Sequence, residues 1–228
     1  MANLRDIKRR IRSVKSTQQI TKAMKLVSAS KLRKAQERIL NVRPYAIKMM
    51  DVLKHLAARA NQDLHPLLNN REGNRILLLV VTSDKGLCGA FSTNILRKTM
   101  QVVKDNPGKE ISFIAAGRKA RDFLRNRKFK ILNEYTKLNK DFDYLKATEI
   151  GDTISELFVQ NTIDQVYVIY NEFKSVIQQQ VILEQLLPVV PEKIVLKDKE
   201  SPVDYIYEPD EESILDHLLK RYMTVEVY

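Results

Sequence analysis

Few side chains in this 228-residue chain are of the types that do chemistry, and they are scattered. There is one cysteine, Cys88, and there are three histidines, His55, His65 and His217. A cysteine nucleophile needs a general base and a group that orients that base. The histidines sit on or near the N-terminal segment and close to the C-terminus, none in the stretch around Cys88, so the expectation for Cys88 is a buried, inert thiol. No CxxC, HxxxH or HxE spacing is present to hold a metal. The carboxylates of Glu208–Glu212 read as the charged start of a helix rather than as an acid/base pair. No catalytic, cofactor-binding or metal-binding residue is therefore expected in this chain.

One loop has the look of a site: TSDKGLCGAF, Thr82–Phe91. It follows an apolar run of strand length and precedes a helical pattern, the place where doubly wound folds bind ligands. It does not match the phosphate-binding loop, in which lysine follows the second glycine, because Lys85 precedes Gly86; a GxGxxG fingerprint is also missing. Ser83, Asp84, Lys85, Gly86, Cys88 and Gly89 read as a structural loop, with Gly86 and Gly89 relieving strain in a tight turn.

The elements around this loop alternate in the α/β manner. Arg75–Thr82 is continuous and apolar, the pattern of a strand buried on both faces. Ser92–Asp105 reads as a helix closed by Asn106-Pro107-Gly108, Glu110–Ala116 as a strand, Arg118–Arg127 as a short helix and Phe129–Tyr135 as a third strand. Tyr144–Thr162 reads as a helix with Ile150, Ile154, Leu157 and Phe158 on one face. Asp164–Tyr170 and Ile177–Leu186 read as an antiparallel pair joined by a short turn. The predicted fold of residues 73–208 is a mostly parallel, Rossmann-like sheet between helical layers, with Pro188–Pro209 as a linker carrying an edge strand.

Residues 1–72 are different in kind. They contain no glycine, and residues 1–60 hold 16 Lys and Arg against three acidic residues, Asp6, Glu37 and Asp51. That quarter of the chain carries +13 of a net +11, and the remainder balances at −2. Asn3 and Asp6 suit a helix start. From Leu4 to Ala60 a 3,4-spaced repeat keeps one register, and 13 of its 17 positions are apolar. A strict seven-residue repeat of that length predicts a left-handed coiled coil. Pro44 removes one backbone bond but the stripe resumes after it, so a kink rather than an end is expected. The four polar core positions Gln18, Thr21, Lys25 and Ser28 are accompanied by a rotated apolar stripe of Ile20, Ala23, Met24 and Val27, which suggests contact with something besides the coiled-coil mate.

A seam this long needs a partner helix. Residues 209–228 begin one: Pro209 and Asp210 suit the start, and Leu215, Leu218, Tyr222 and Val225 repeat the 3,4 spacing. It covers only a fraction of the N-terminal seam, so another chain or a missing continuation is expected to supply the rest. The longest apolar run, Ile76–Val81, is far short of the about 20 residues a membrane span needs, and no secretory leader is read at the N-terminus. A basic helix of this charge could attract nucleic acid. Its charges surround it, however, and Tyr45 is the only aromatic residue among the first 60, so no stacking platform exists. A membrane-surface helix would want Trp or Phe in the seam.

LRDIKRRIRSVKSTQQITKAMKLVSASKLRKAQ at the N-terminus, RPYA at Arg43–Ala46 and TSDKGLCGAFS at Thr82–Ser92 occur here in that order. The chain resembles the γ subunit of F-type ATP synthases. The resemblance implies an antiparallel coiled-coil shaft inside a hexamer of α and β subunits, with an α/β domain beside its foot. It implies that the foot binds the ε subunit and the c-ring, one copy per complex, and that ion-driven ring rotation cycles the β sites, which hold the catalytic residues. Ile20, Thr21, Lys22, Ala23 and Met24 match the family's ITKAM segment, which faces the acidic lever of β; Lys25, Lys31, Arg33 and Lys34 fall on the same stretch. The family's C-terminal helix runs well beyond the VEVY region, so a shaft lacking most of one strand is expected, as is the absence of thiol control. The resemblance implies a peripheral protein on the cytoplasmic face of the bacterial plasma membrane, with no cofactor, no nucleic acid and no membrane insertion.

Overall fold

A computed structural model describes residues 4–59, 65–71, 73–138, 144–175, 178–189 and 211–228. The expected caps at Asn3 and Pro209–Asp210 lie outside the described residues, as does the expected linker Pro188–Pro209 beyond Val189. The chain forms two compact units, Met1–Lys48 and Met49–Tyr228.

The first unit is helical. It belongs to α1, Leu4–Arg59, which continues through Pro44. Residues 4–48 are exposed except Gln36, Val42 and Ala46, which are half-buried. Leu4, Ile7, Ile11, Val14 and Ile39 of the predicted seam stand in solvent at 45–72% exposure.

The second unit is a three-layer α/β fold. In chain order it contains β1 Arg75–Val81, α2 Phe91–Asp105, β2 Glu110–Ala116, α3 Arg118–Asn126, β3 Ile131–Tyr135, α4 Tyr144–Val159, β4 Gln165–Phe173, β5 Gln179–Leu187 and α5 Glu211–Val227. The sheet order is β3-β2-β1-β4-β5. The β3-β2, β2-β1 and β1-β4 pairs are parallel, and β4-β5 is antiparallel. β1 lies at the centre and is buried on both faces, as its unbroken apolar run requires. Ile76, Leu78 and Val80 point to one face, under Ile95 and Val102 of α2 and Ala120 and Leu124 of α3. Leu77 and Leu79 point to the other, toward Ile150, Ile154 and Phe158 of α4. Met49, Leu53, Leu67 and Leu68 join this second cluster.

Two expectations shift. The α5 residues that enter the core are Leu215, Leu219, Tyr222 and Met223, with Leu218 and Val225 only partly buried against it. The face is rotated because α5 packs closely on α4: a Cβ on Gly151 would lie 3.3 Å from the backbone of Met223 and of Thr224. The third strand starts at Ile131 because Lys128, at φ 58°, and Phe129, bonded back to the Leu124 carbonyl, form the end of α3.

Candidate functional site

The first candidate is the exposed stretch of α1 from Ile20 to Lys34. Ile20, Ala23, Met24 and Val27 follow i, i+3, i+4, i+7 spacing and so share one helix face. Ile20, Met24 and Val27 are 57%, 45% and 58% exposed, and Ala23 is exposed with them. Lys22, Lys25, Lys31, Arg33 and Lys34 are exposed as well. Arg33 Nε meets Glu37 Oε1 at 3.0 Å, one turn on. The Thr21 hydroxyl donates to the Thr17 carbonyl at 2.9 Å, so this polar residue is satisfied within its own helix. The surface that results offers methyl groups, a thioether and long-stemmed cations. Cations attract an acidic surface through a Coulomb term that falls gradually with distance. Hydrogen bonds need distances near 3 Å and a fixed angle. A partner could therefore change register here without breaking a directional bond.

The second candidate is the loop after β1, and its polar atoms turn inward. Thr82 closes onto β2: its N–H donates to the Ala116 carbonyl at 2.7 Å, and its hydroxyl accepts from the Ala120 N–H at 2.8 Å. Gly117 sits at φ 99°, where a Cβ would lie 2.3 Å from the Thr82 carbonyl oxygen, so only glycine fits. Asp84 is buried and its Oδ1 accepts from the Arg118 N–H at 3.0 Å. A carboxylate from one loop thus caps the positive end of the helix that follows the next strand. Ser83 Oγ lies 2.8 Å from the Lys85 carbonyl, 2.9 Å from Ser92 Oγ and 3.5 Å from Cys88 Sγ.

Two expectations about this loop are corrected. Cys88 is exposed, not buried. The Ser83 hydroxyl draws its thiol pKa below the ordinary value, with desolvation opposing and Ser92 assisting. Gly89, at φ 57°, takes the left-handed turn position expected of it, but Gly86 has ordinary backbone geometry and the strained position is Leu87, at φ 63°. Leu87 is 94% exposed. Lys85, Gly86 and Gly89 are exposed around it.

Other groups were not visible in the sequence. His65 lies in the same compact unit as Cys88. Its Nδ1 accepts from the Leu67 N–H and its Nε2 stands 3.2 Å from Asp216 Oδ1 on α5. Lys220 and His65 together hold the Asp216 carboxyl below its ordinary value, Lys220 contributing most. The two partners are 151 residues apart, and no local pattern signals them. Glu226 of α5 is pushed up to about 7 by burial, with Glu184 adding to it. Among the described residues no three His, Cys, Asp or Glu side chains gather to hold a metal, and no helix is long and apolar enough to cross a membrane.

The profile of the ATP synthase family matches residues 3–228. The ATP synthase gamma chain of Geobacter sp. (strain M21) is 45% identical over 230 residues, covering 100% of this chain and 79% of the relative. The chain belongs to the ATP synthase gamma chain family. The gamma chain of Chlorobium phaeobacteroides (strain BS1) is 42% identical over 234 residues, again across all of this chain and 79% of the relative. Among solved structures, a chain of the Tetrahymena thermophila mitochondrial ATP synthase central stalk and c-ring is 26% identical with a TM-score of 0.66, over 92% of this chain and 89% of that one. A chain of the Euglena gracilis mitochondrial ATP synthase rotor shares the fold, at a TM-score of 0.59 and 18% identity over 96% and 81% of the two chains. The long N-terminal helix and the mostly parallel sheet are the architecture of this central-stalk family.

Proposed function

We propose that the chain is the central-stalk rotor subunit of an F-type ATP synthase, coupling ion-driven rotation of a c-ring to conformational cycling of catalytic β subunits. The observation that carries this is the bare stripe of α1. A family member presents an apolar 3,4 seam and a cationic face, both in solvent, on a helix that continues through Pro44. Such a helix has to be enclosed by other protein.

In this reading Ile20, Thr21, Lys22, Ala23, Met24, Lys25, Lys31, Arg33 and Lys34 slide against the acidic lever of β. Catalytic residues belong to β and none to this chain. Residues 1–72 form one strand of the shaft, 73–208 the globular part and 209–228 the start of the second strand. The loop residues Ser83, Asp84, Lys85, Gly86, Cys88 and Gly89 act structurally, tying β1 to the start of α3. One copy joins α and β subunits, an ε subunit and the c-ring, at the cytoplasmic face of a bacterial plasma membrane, without inserting into it.

The experiment is reconstitution. The protein is co-expressed with α and β subunits, and the purified assembly is tested for rotation driven by ATP hydrolysis. One copy per hexamer and rotation of a bead attached to residue 87 are expected. An α/β assembly that excludes this chain overturns the reading.

A further inference from the structure

Among the described residues, one helical layer of the second unit leaves part of the sheet bare. On the face held by α2 and α3 the buried cluster centres on β1 and β2. On that same face the β4–β5 hairpin places Ile169 opposite Leu183, Asn171 opposite Val181 and Phe173 opposite Gln179, and residues paired across antiparallel strands share a face. Ile169 is fully buried, but Leu183 and Phe173 are 37% and 40% exposed and Val181 is only partly covered.

Between this bare strip and the outer side of α2 lies a cleft of about 480 Å³, with Asn94, Arg97 and Lys98 on the helix wall and Asn171, Gln179 and Val181 on the sheet. Its floor is tied by the Asn171 amide, which donates to Gln179 Oε1 at 2.7 Å. Among the described residues no carboxylate lines it. Among the described residues neither Arg97 nor Lys98 has a carboxylate partner, whereas other cations of this unit, such as Arg75, Arg125 and Lys130, are paired.

We propose that this cleft seats an acidic amphipathic helix of a partner protein, its apolar side on Val181, Leu183 and Phe173 and its carboxylates facing Arg97 and Lys98. A sheet face is normally covered by a helix or by a second sheet, and here α2 and α3 leave the hairpin end of the layer vacant. The wall fixes the charge of the occupant: two unpaired cations favour carboxylates and oppose a basic segment. The strip fixes its amphipathicity, because Leu183 and Phe173, exposed at either end of the face with Val181 between them, gain from burial. The proposal rests on the rotor reading for the assembly that supplies its partner, but it concerns a different face and a different contact chemistry from the α1 stretch.

The test uses the assembled ATP synthase containing the full-length chain, with the photo-reactive residue p-benzoylphenylalanine placed at position 97 or position 183 and the cross-linked peptides sequenced by mass spectrometry. Both positions are expected to capture one segment of another subunit, with Asp or Glu on one face of a 3,4 apolar repeat. The double variant Arg97→Glu/Lys98→Glu is expected to cut the cross-link yield from position 183 by about tenfold. Capture of a basic or non-helical segment, capture of a second copy of this chain, no capture at either position, or an unchanged yield in the double variant overturns the proposal. Failure of the complex to assemble with the unsubstituted chain strikes the rotor reading instead.

Discussion

Asp164, just before β4, grips Arg75, the first residue of β1. Its Oδ1 lies 2.5 Å from Arg75 Nη2, and its Oδ2 accepts from Arg75 Nε and from the Arg75 backbone N–H, each at 3.0 Å. One buried carboxylate therefore ties together the starts of two parallel strands that are 89 residues apart. Gly73 makes room for it: a Cβ there would lie 1.9 Å from Asp164 Oδ2. Arg75 holds the Asp164 carboxyl below its ordinary value of 3.8, burial opposing. The depressed pKa means that this contribution to stability is present above about pH 3.8 and is lost as pH falls through the lower folded value. Asp164→Ala is expected to destabilise the second unit by about 1–3 kcal/mol through the unpaired Arg75 backbone N–H alone. Urea unfolding at pH 7 checks this, and the variant's stability should be flatter below pH 4. An unchanged midpoint would show that water replaces the carboxylate without cost.

The Glu226 pair titrates in the opposite sense. Burial, with Glu184 adding, lifts Glu226 from an ordinary 4.5 to about 7. Tyr170 already donates its hydroxyl to Glu184 Oε2 at 3.0 Å. A raised carboxyl pKa means that docking of this end of α5 is least penalised below about pH 4.5, weakens as pH rises, and levels off above about pH 7. Glu226→Gln is expected to remove that slope and to be the more stable protein at pH 8. Unfolding midpoints at pH 5, 6.5 and 8 decide the matter, and parallel slopes in parent and variant would count against the burial of this carboxyl.

The parts of the fold that were readable in advance are those where one element dictates its own burial. RILLLVV at β1 needs no partner to announce itself, because an unbroken apolar run of strand length must be covered on both faces. β2 and α2 follow from the same rule and from the Asn-Pro-Gly stop. The core face of α5 could not be read in the same way. Its 3,4 spacing allowed several stripes, and the choice of Leu219 and Met223 depends on how closely it meets Gly151. The exposure of Cys88 is not legible in the sequence, because burial of a single loop thiol is decided by where the loop points, not by residue type. The bond between His65 and Asp216 left no local trace. The α1 stretch is the reverse case: its residues stand out as a motif, while the contact proposed for them lies on a surface outside this chain.

Leu87 is a test of strain. At φ 63° it occupies the left-handed region at a cost of about 1–2 kcal/mol for a non-glycine residue, and at 94% exposure its side chain gains nothing from burial. Leu87→Gly should therefore keep or raise the melting temperature, since relief of strain outweighs the about 0.5–1 kcal/mol of chain freedom that glycine adds. Leu→Gly in a core strand would do the reverse. A loss of several degrees by differential scanning calorimetry would mean that the leucine packs against something in solution.

Met24 tests the proposed sliding contact. It lies one turn from Ile20 and from Val27 on the exposed face of α1, within a segment already rich in cations. Met24→Lys leaves helix propensity nearly unchanged, so circular dichroism of the chain should not move. The added ammonium would deepen the attraction to an acidic partner at whichever angles bring the two together. Each about 1.4 kcal/mol of extra attraction slows escape from such a well about tenfold. Coupling should suffer more than chemistry. ATP hydrolysis by the assembled complex should survive, while protons pumped per ATP fall by about twofold or more, and Met24→Leu should behave like the parent. A pumping ratio that Met24→Lys leaves intact would place this face away from the moving contact, whatever else the helix touches.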